Sequence, residues 1–232
     1  MSSNKLSRCK AILFDFGGTL DSDGEHWLDR FYELYEKAEI DLPRDLIKKV
    51  FYQADAICCS DPQVDRMGLR PLMRHHVHLQ FSALNLRDAL KEEQMVEEFC
   101  AKTEHYLERN CSLLKRLRSL FRMGVVSNFY GNVSTICQEA GLAESLATIL
   151  DSTRLGIGKP NPQIFQRALQ ELSMAAEETI FIGDSYDRDI LPARSLGMKT
   201  IWVKGPNPRL PADAGPVENW ISSLTELEAL LI

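Results

Sequence analysis

The sequence has few of the features that would place the protein in a membrane or on nucleic acid. No apolar run approaches the roughly 20 residues that a membrane-spanning helix needs. The polar start, MSSNKLSRCK, lacks the apolar segment of a secretory signal. A formal net charge of −6 gives no basic footprint of the kind that nucleic-acid binding requires. These absences predict a soluble, cytoplasmic protein with neither a membrane nor a nucleic acid as its partner; they leave its oligomeric state open.

Disulfide and zinc patterns are also absent. The six cysteines form no CxxC pair and show no zinc-like spacing. Cys58 and Cys59 are adjacent and could have a redox role, but small apolar side chains on a helix are the favoured interpretation. With 232 residues, 44% of them hydrophobic, the chain is long enough for one large domain or two modest ones.

Short apolar runs of the kind that form buried strands are what the sequence does contain. Segments with helical spacing separate the last four of them, and Pro208 and Pro211 mark an irregular late loop. Strand–helix alternation predicts an α/β fold, namely a three-layer, Rossmann-like core around a parallel sheet. The predicted strands are 10–16, 123–129, 146–152, 179–185 and 200–205.

Residues 22–110 differ from the rest of the chain in the spacing of their apolar residues. They contain four stretches with helical spacing and no strand-like run. We therefore expect a four-helix insert after the first strand, at 22–110, and an α/β core domain formed by 1–21 and 111–232.

Polar residues follow four of the predicted strands. In a parallel sheet the carboxyl ends of the strands form the crevice in which ligands bind. Each of these residues alone has an ordinary interpretation, such as a helix cap or a solvated lysine. Together at one edge they favour a binding or catalytic site formed by Asp15, Thr19, Ser127, Asn128, Lys159, Asp184 and Ser185.

The four segments that carry these residues, DFGGTL, VVSN, GKPNPQIF and IGDSYDRDI, resemble in order the motifs of the haloacid dehalogenase superfamily. Most members of that superfamily are magnesium-dependent phosphatases with a helical cap, which corresponds here to the insert. The resemblance implies a hydrolase that uses Mg²⁺ and a small phosphorylated metabolite, and that forms an aspartyl phosphate at Asp15.

The resemblance also implies a role for each residue of the site. Asp15, Ser127 and Lys159 would be catalytic, and Gly18, Thr19 and Asn128 would bind the phosphoryl group. Asp187 is a less favoured alternative to Asp189 as a metal ligand. The implied metal ligands are Asp15, Gly17 through its backbone carbonyl, Asp184 and Asp189.

Gly17 departs from the pattern of the resembled phosphatases, in which an aspartate two residues after the nucleophile protonates the leaving oxygen. Glycine keeps the carbonyl but loses the acid, a contribution of about 10²–10⁴-fold. The resembled dehalogenases lack an acid corresponding to Asp184, so their chemistry is not expected.

Four alternatives stay open at this point. The substrate could have a good leaving group, or another residue could supply the proton. The protein could instead bind Mg²⁺ and phosphate with negligible turnover. It could also cleave a C–P bond through a Schiff-base lysine, Lys48 or Lys49. The candidate substitute proton donors are Asp21, Asp23, His26, His75, His76 and His78.

Overall fold

A parallel β-sheet organises the computed structural model, which describes residue 6 and residues 8–208, 215 and 217–232. Its six strands lie in the order β3-β2-β1-β4-β5-β6, and every neighbouring pair is parallel. The predicted α/β class is confirmed. The strands are β1 (Ala11–Phe14), β2 (Arg122–Ser127), β3 (Thr148–Asp151), β4 (Thr179–Gly183), β5 (Lys199–Val203) and β6 (Trp220–Ile221).

The strand β1 lies in the middle of the sheet because all four of its residues are apolar and fully buried. Successive side chains of a strand point to opposite faces. Ile12 and Phe14 accordingly join the hydrophobic cluster on one face, and Ala11 and Leu13 join the cluster on the other. Both faces of the sheet are therefore covered, which gives the expected three layers.

Helices cover the sheet and connect its strands. Asn161 accepts a hydrogen bond from the Gln163 N–H and Pro162 occupies the first helical turn, as the sequence predicts for a helix start. The helices that follow β2 are α5 (Val133–Glu139), α6 (Ser152–Leu155), α7 (Pro162–Leu172), α8 (Leu191–Ser195) and α9 (Leu227–Leu231).

Four longer helices connect β1 to β2, in the region where the sequence predicts a helical insert. They are α1 (Trp27–Lys37), α2 (Arg44–Ser60), α3 (Leu69–Ala83) and α4 (Ala89–Leu117). Helix α4 continues through the expected boundary at residue 110 without a break. The division into a core and a separate cap domain stays a prediction.

One strand was not predicted from the sequence, and two segments considered in the sequence analysis lie outside the residues that the structure describes. The sixth strand, β6, was not predicted, because a two-residue strand is too short to show alternation. Pro211 and residues 1–5 lie outside the described residues. Among the described residues, no helix is long and apolar enough to cross a membrane.

Candidate active site

Asp15 comes directly after the buried strand β1 and is 7% exposed. Its Oδ1 accepts hydrogen bonds from the Phe16 N–H at 2.7 Å and the Ser127 hydroxyl at 3.1 Å. The Lys159 ammonium lies 2.7 Å from the same oxygen. The Oδ2 atom has no hydrogen-bond partner among the residues described, and Asp15 lines a cavity of about 270 Å³. One oxygen is therefore held in place, whereas the other is left for chemistry.

Lys159 connects two carboxylates at the edge of the sheet. Its Nζ lies 2.6 Å from Asp189 Oδ1 as well as 2.7 Å from Asp15. Burial alone would lower the pKa of the ammonium, but the two carboxylates outweigh it and raise that pKa. The Asn128 side chain holds the backbone of Lys159 at two points, accepting from its N–H at 2.7 Å and donating to its carbonyl at 2.8 Å.

Asp184 and Asp189 complete an acidic cluster with Asp15, in which ligand oxygens lie within 4.8 Å of one another. Burial raises the pKa of Asp189 to about 6. Burial, followed by the charges of Asp15 and Asp189, raises the pKa of Asp184 well above its usual value. Three carboxyl groups thus lie together, and Lys159 contacts two of them, Asp15 and Asp189.

This cluster fits a hard divalent cation. All of its donors are oxygens, the set that Mg²⁺ prefers, and the negative charge exceeds what Lys159 neutralises. Gly18, at φ +87°, leaves room for the Asp184 carboxylate, since a Cβ there would lie only 2.6 Å from it. Asp187 is exposed and Asp189 is buried, so the structure favours Asp189 of the two alternatives.

The residues expected to bind a phosphoryl group lie around the same cluster. Ser127 is buried beside Asp15, and the Thr19 hydroxyl is 3.5 Å from Asp184 Oδ1. The Asn128 side chain is committed to Lys159, so only its backbone amide remains for a ligand. Their roles toward a substrate stay predictions.

Aromatic rings flank Gly17. A Cβ placed on this residue would lie 3.9 Å from both Phe129 Cε2 and Trp27 Nε1. The Trp27 indole donates a hydrogen bond to Asp21 Oδ2, and the Gly18 N–H donates to Asp21 Oδ1 at 2.7 Å. Burial raises the pKa of Asp21 to about 6. The part of the site next to Gly17 is thus bordered by an indole and a phenyl ring.

Of the six candidate substitute proton donors, His26 is the one that lines the cavity. Its Nδ1 accepts a hydrogen bond from the Leu28 N–H at 3.1 Å, capping α1. Lys48 and Lys49 are exposed and do not line the cavity, so the Schiff-base alternative gains no support. The other candidates do not line the cavity and have partners of their own: Asp21 with Trp27, Asp23 with Arg109, His75 with Asp61, His76 with Asp55, and His78 with Glu92.

Several lining residues were not singled out from the sequence. Arg188 lies within the fourth motif, IGDSYDRDI, and Phe129 and Tyr130 directly follow VVSN, so proximity to the motifs could have identified them. Asp55 and Phe51 on α2 carry no such signal. The lining residues that sequence reasoning missed are Trp27, Phe51, Tyr52, Asp55, Cys59, Phe129, Tyr130, Ser152 and Arg188.

The chain is similar in sequence to known hydrolases. A sequence model of the haloacid dehalogenase-like hydrolases matches residues 9–197. The chain is 36% identical over 139 residues to haloacid dehalogenase-like hydrolase domain-containing protein 3 of Bos taurus, covering 58% of this chain and 55% of that protein. It is 40% identical over 78 residues to a phosphoserine phosphatase of Thermus thermophilus, covering 33% and 31%.

A solved structure described as a dehalogenase with an intermediate complex has the same fold, with a TM-score of 0.64 at 18% identity over 97% of this chain and 98% of that one. The matched regions cover about half or less of the length of these two curated relatives.

Proposed function

The chain belongs to the haloacid dehalogenase-like hydrolases, and on that premise we propose that it is a magnesium-dependent phosphatase of a small phosphorylated metabolite. The observation that carries the proposal is the meeting of Asp15, Lys159, Asp184 and Asp189 from distant parts of the chain at one sheet edge. Similarity to a phosphoserine phosphatase supports the phosphorylated substrate class.

The proposed reaction begins at the second oxygen of Asp15. This oxygen attacks phosphorus, the bond from phosphorus to the leaving oxygen breaks, and an aspartyl phosphate forms. Water then attacks that intermediate, releasing inorganic phosphate and restoring the carboxylate. Ser127 and Lys159 hold the first oxygen and orient the attacking one.

Charge is the main obstacle to the first step, because a carboxylate repels a phosphate dianion. Lys159 supplies one positive charge within the cluster, and Arg188 adds another to the cavity wall. Asp15, Asp184, Asp189 and the Gly17 carbonyl would hold Mg²⁺, which supplies the further positive charge that phosphoryl transfer requires.

Gly17 restricts which substrates turn over efficiently. No carboxyl stands at this position to protonate the leaving oxygen, so esters and acyl phosphates with good leaving groups should react best. A second candidate, a protein that binds Mg²⁺ and phosphate with negligible turnover, is favoured by the same residue. The intact set of Asp15, Ser127, Lys159 and Asp184 favours the enzyme.

An assay with Mg²⁺ separates these candidates. Purified protein is tested on p-nitrophenyl phosphate, acetyl phosphate and a panel of sugar phosphates and nucleotides, beside Asp15→Asn. Asp41→Asn, which makes the same change in an exposed connection away from the cavity, is the matched control. The phosphatase is supported if wild type turns over substrate, Asp15→Asn abolishes this turnover and Asp41→Asn preserves it. Wild-type turnover that survives Asp15→Asn contradicts it, and magnesium-dependent phosphate binding without turnover favours the binder.

A further inference from the structure

Asp55 of helix α2 lines the same cavity as the nucleophile, although it belongs to the helical segment between β1 and β2. Its Oδ1 accepts two hydrogen bonds, one from the Tyr130 hydroxyl and one from His76 Nε2 at 3.0 Å. Its Oδ2 has no hydrogen-bond partner among the described residues. The side chain is 23% exposed, so this carboxylate is mostly removed from water.

A chain of hydrogen bonds holds the Asp55 carboxyl in place. The Tyr35 hydroxyl lies 3.2 Å from Gln80 Oε1 and donates to it, and Gln80 Nε2 donates to His76 Nδ1 at 2.9 Å. When His76 Nδ1 accepts from Gln80, the Nε2–H of the ring donates to Asp55 Oδ1. The chain therefore ends with two donors, His76 and Tyr130, directed at one carboxylate oxygen.

Among the described residues no lysine or arginine pairs with Asp55, and the His76 ring is its one ion-pair neighbour. A half-buried carboxylate without a counter-ion is costly unless a ligand supplies one. The Oδ2 atom of Asp55 can accept a hydrogen bond from a proton-bearing group of a ligand in the cavity.

Aromatic side chains line the same cavity as this carboxylate, and one of them, Tyr130, contacts it. They are contributed both by α1 and α2 and by the loop that follows β2. Aromatic faces attract ammonium groups, and more strongly so where water is excluded. The lining rings are Trp27, Phe51, Tyr52, Phe129 and Tyr130.

We propose that Asp55 and these rings form a subsite for an ammonium group, so that the substrate class is aminoalkyl phosphates. The phosphate would lie at Asp15 and Lys159, and the ammonium at Asp55. A neutral polyol would satisfy Oδ2 by a hydrogen bond but would leave the charge unpaired, so the ammonium is favoured. This inference rests on the proposed function for the position of the phosphate, and its test is independent of turnover.

The test compares 3-aminopropyl phosphate with n-butyl phosphate, in which a methyl group replaces the ammonium at equal chain length. Binding is measured by calorimetry at pH 7.5 with Mg²⁺, using Asp15→Asn protein so that no ester is consumed. We expect the aminoalkyl ester to bind at least 10-fold more tightly. Adding Asp55→Asn should abolish this preference, while the affinity for n-butyl phosphate stays within about twofold.

Asp45→Asn is the matched control, because it removes an aspartate from the exposed first turn of the same helix. It should keep the 10-fold preference. Equal binding of the two esters, tighter binding of glycerol phosphate, or no binding of any of these esters overturns the inference. A preference that survives Asp55→Asn also overturns it, provided that a thermal melt shows the variant folded.

Failure of the proposed function has a different signature. If wild-type protein binds aminoalkyl phosphates selectively but hydrolyses neither them nor p-nitrophenyl phosphate, the subsite proposal stands and the phosphatase proposal fails. If the protein hydrolyses p-nitrophenyl phosphate but binds aminoalkyl phosphates no more tightly than alkyl phosphates, the phosphatase proposal stands and the subsite proposal fails. The two measurements therefore separate the two proposals.

Discussion

Replacing Gly17 with aspartate should convert the protein into a better phosphatase for substrates with poor leaving groups. The backbone permits the change, because Gly17 has φ −72° and ψ 121°, which any residue adopts. The new Cβ would lie 3.9 Å from Phe129 and Trp27, an ordinary contact distance. No backbone strain should therefore accompany Gly17→Asp.

The expected gain follows from the chemistry and from the neighbouring indole. A positioned acid contributes about 10²–10⁴-fold, which corresponds to about 3–5 kcal/mol at 1.36 kcal/mol per tenfold change. The single N–H of Trp27, which lies near the new side chain, already donates to Asp21, so it cannot position the new carboxyl. We therefore expect the lower end of the range, about 10²-fold in kcat/KM.

The assay compares an alkyl phosphate with p-nitrophenyl phosphate in wild type, Gly17→Asp and Gly17→Asn. The asparagine variant has nearly the same shape but cannot donate a carboxyl proton. Only Gly17→Asp should accelerate the alkyl ester, and p-nitrophenyl phosphate should change less than tenfold because nitrophenolate leaves without protonation.

An unchanged alkyl phosphate rate in a folded Gly17→Asp protein would refute this reasoning. It would mean that another group already supplies the proton, and His26 is the residue to examine first, because it lines the cavity. An equal gain with Gly17→Asn would show that side-chain volume, and not acidity, limits the wild-type protein.

Other changes test the supports of the site. Lys159→Met leaves two buried carboxylates without their cation, so we expect a loss of about 3–5 kcal/mol in the free energy of unfolding by urea and at least a 100-fold loss of activity. Asn128→Ala removes both hydrogen bonds to the Lys159 backbone and should cost about 1–3 kcal/mol in the same measurement. Trp27→Phe removes a donor to Asp21, whose pKa of about 6 lies above its unfolded value. The stability difference from wild type should therefore be small at pH 5, where the folded carboxyl is protonated, and about 1–3 kcal/mol at pH 8, where it is ionised. Mg²⁺ at 100 times its dissociation constant should stabilise wild type by about 2.7 kcal/mol and raise its Tm in a thermal melt. Asp184→Asn should lose most of that shift.

The strand-end residues of the site could be predicted from the sequence because a parallel sheet brings all strand carboxyl ends to one edge. Asp15 and Ser127 follow neighbouring strands and are in hydrogen-bond contact, although 112 residues separate them. The same rule placed Lys159 and Asp184 nearby. The spacing of the motifs in the sequence could not show that Lys159 contacts both Asp15 and Asp189.

The cavity wall that the helices contribute could not be predicted in this way. Asp55 meets Tyr130 across 75 residues, and the contact depends on how α2 packs against the loop after β2. Periodicity identifies the buried stripe of α2 but not which of its polar residues faces a cavity. His76 illustrates the same limit, because the RHHVH segment predicts a polar helix face, whereas this ring is fully buried.

Gly17 and Asp55 have complementary consequences for the leaving group. Without an acid at position 17, negative charge must develop on the leaving oxygen, and a positive charge on the same molecule stabilises that oxygen electrostatically. An ammonium a few bonds away supplies this charge within the substrate itself. Asp55 would hold the ammonium. By pairing with the ammonium, Asp55 would also weaken the electrostatic effect of that positive charge on the leaving oxygen. The distance between the amine and the phosphate would therefore set the rate. A short aminoalkyl chain would keep the two charges close together in a cavity of about 270 Å³.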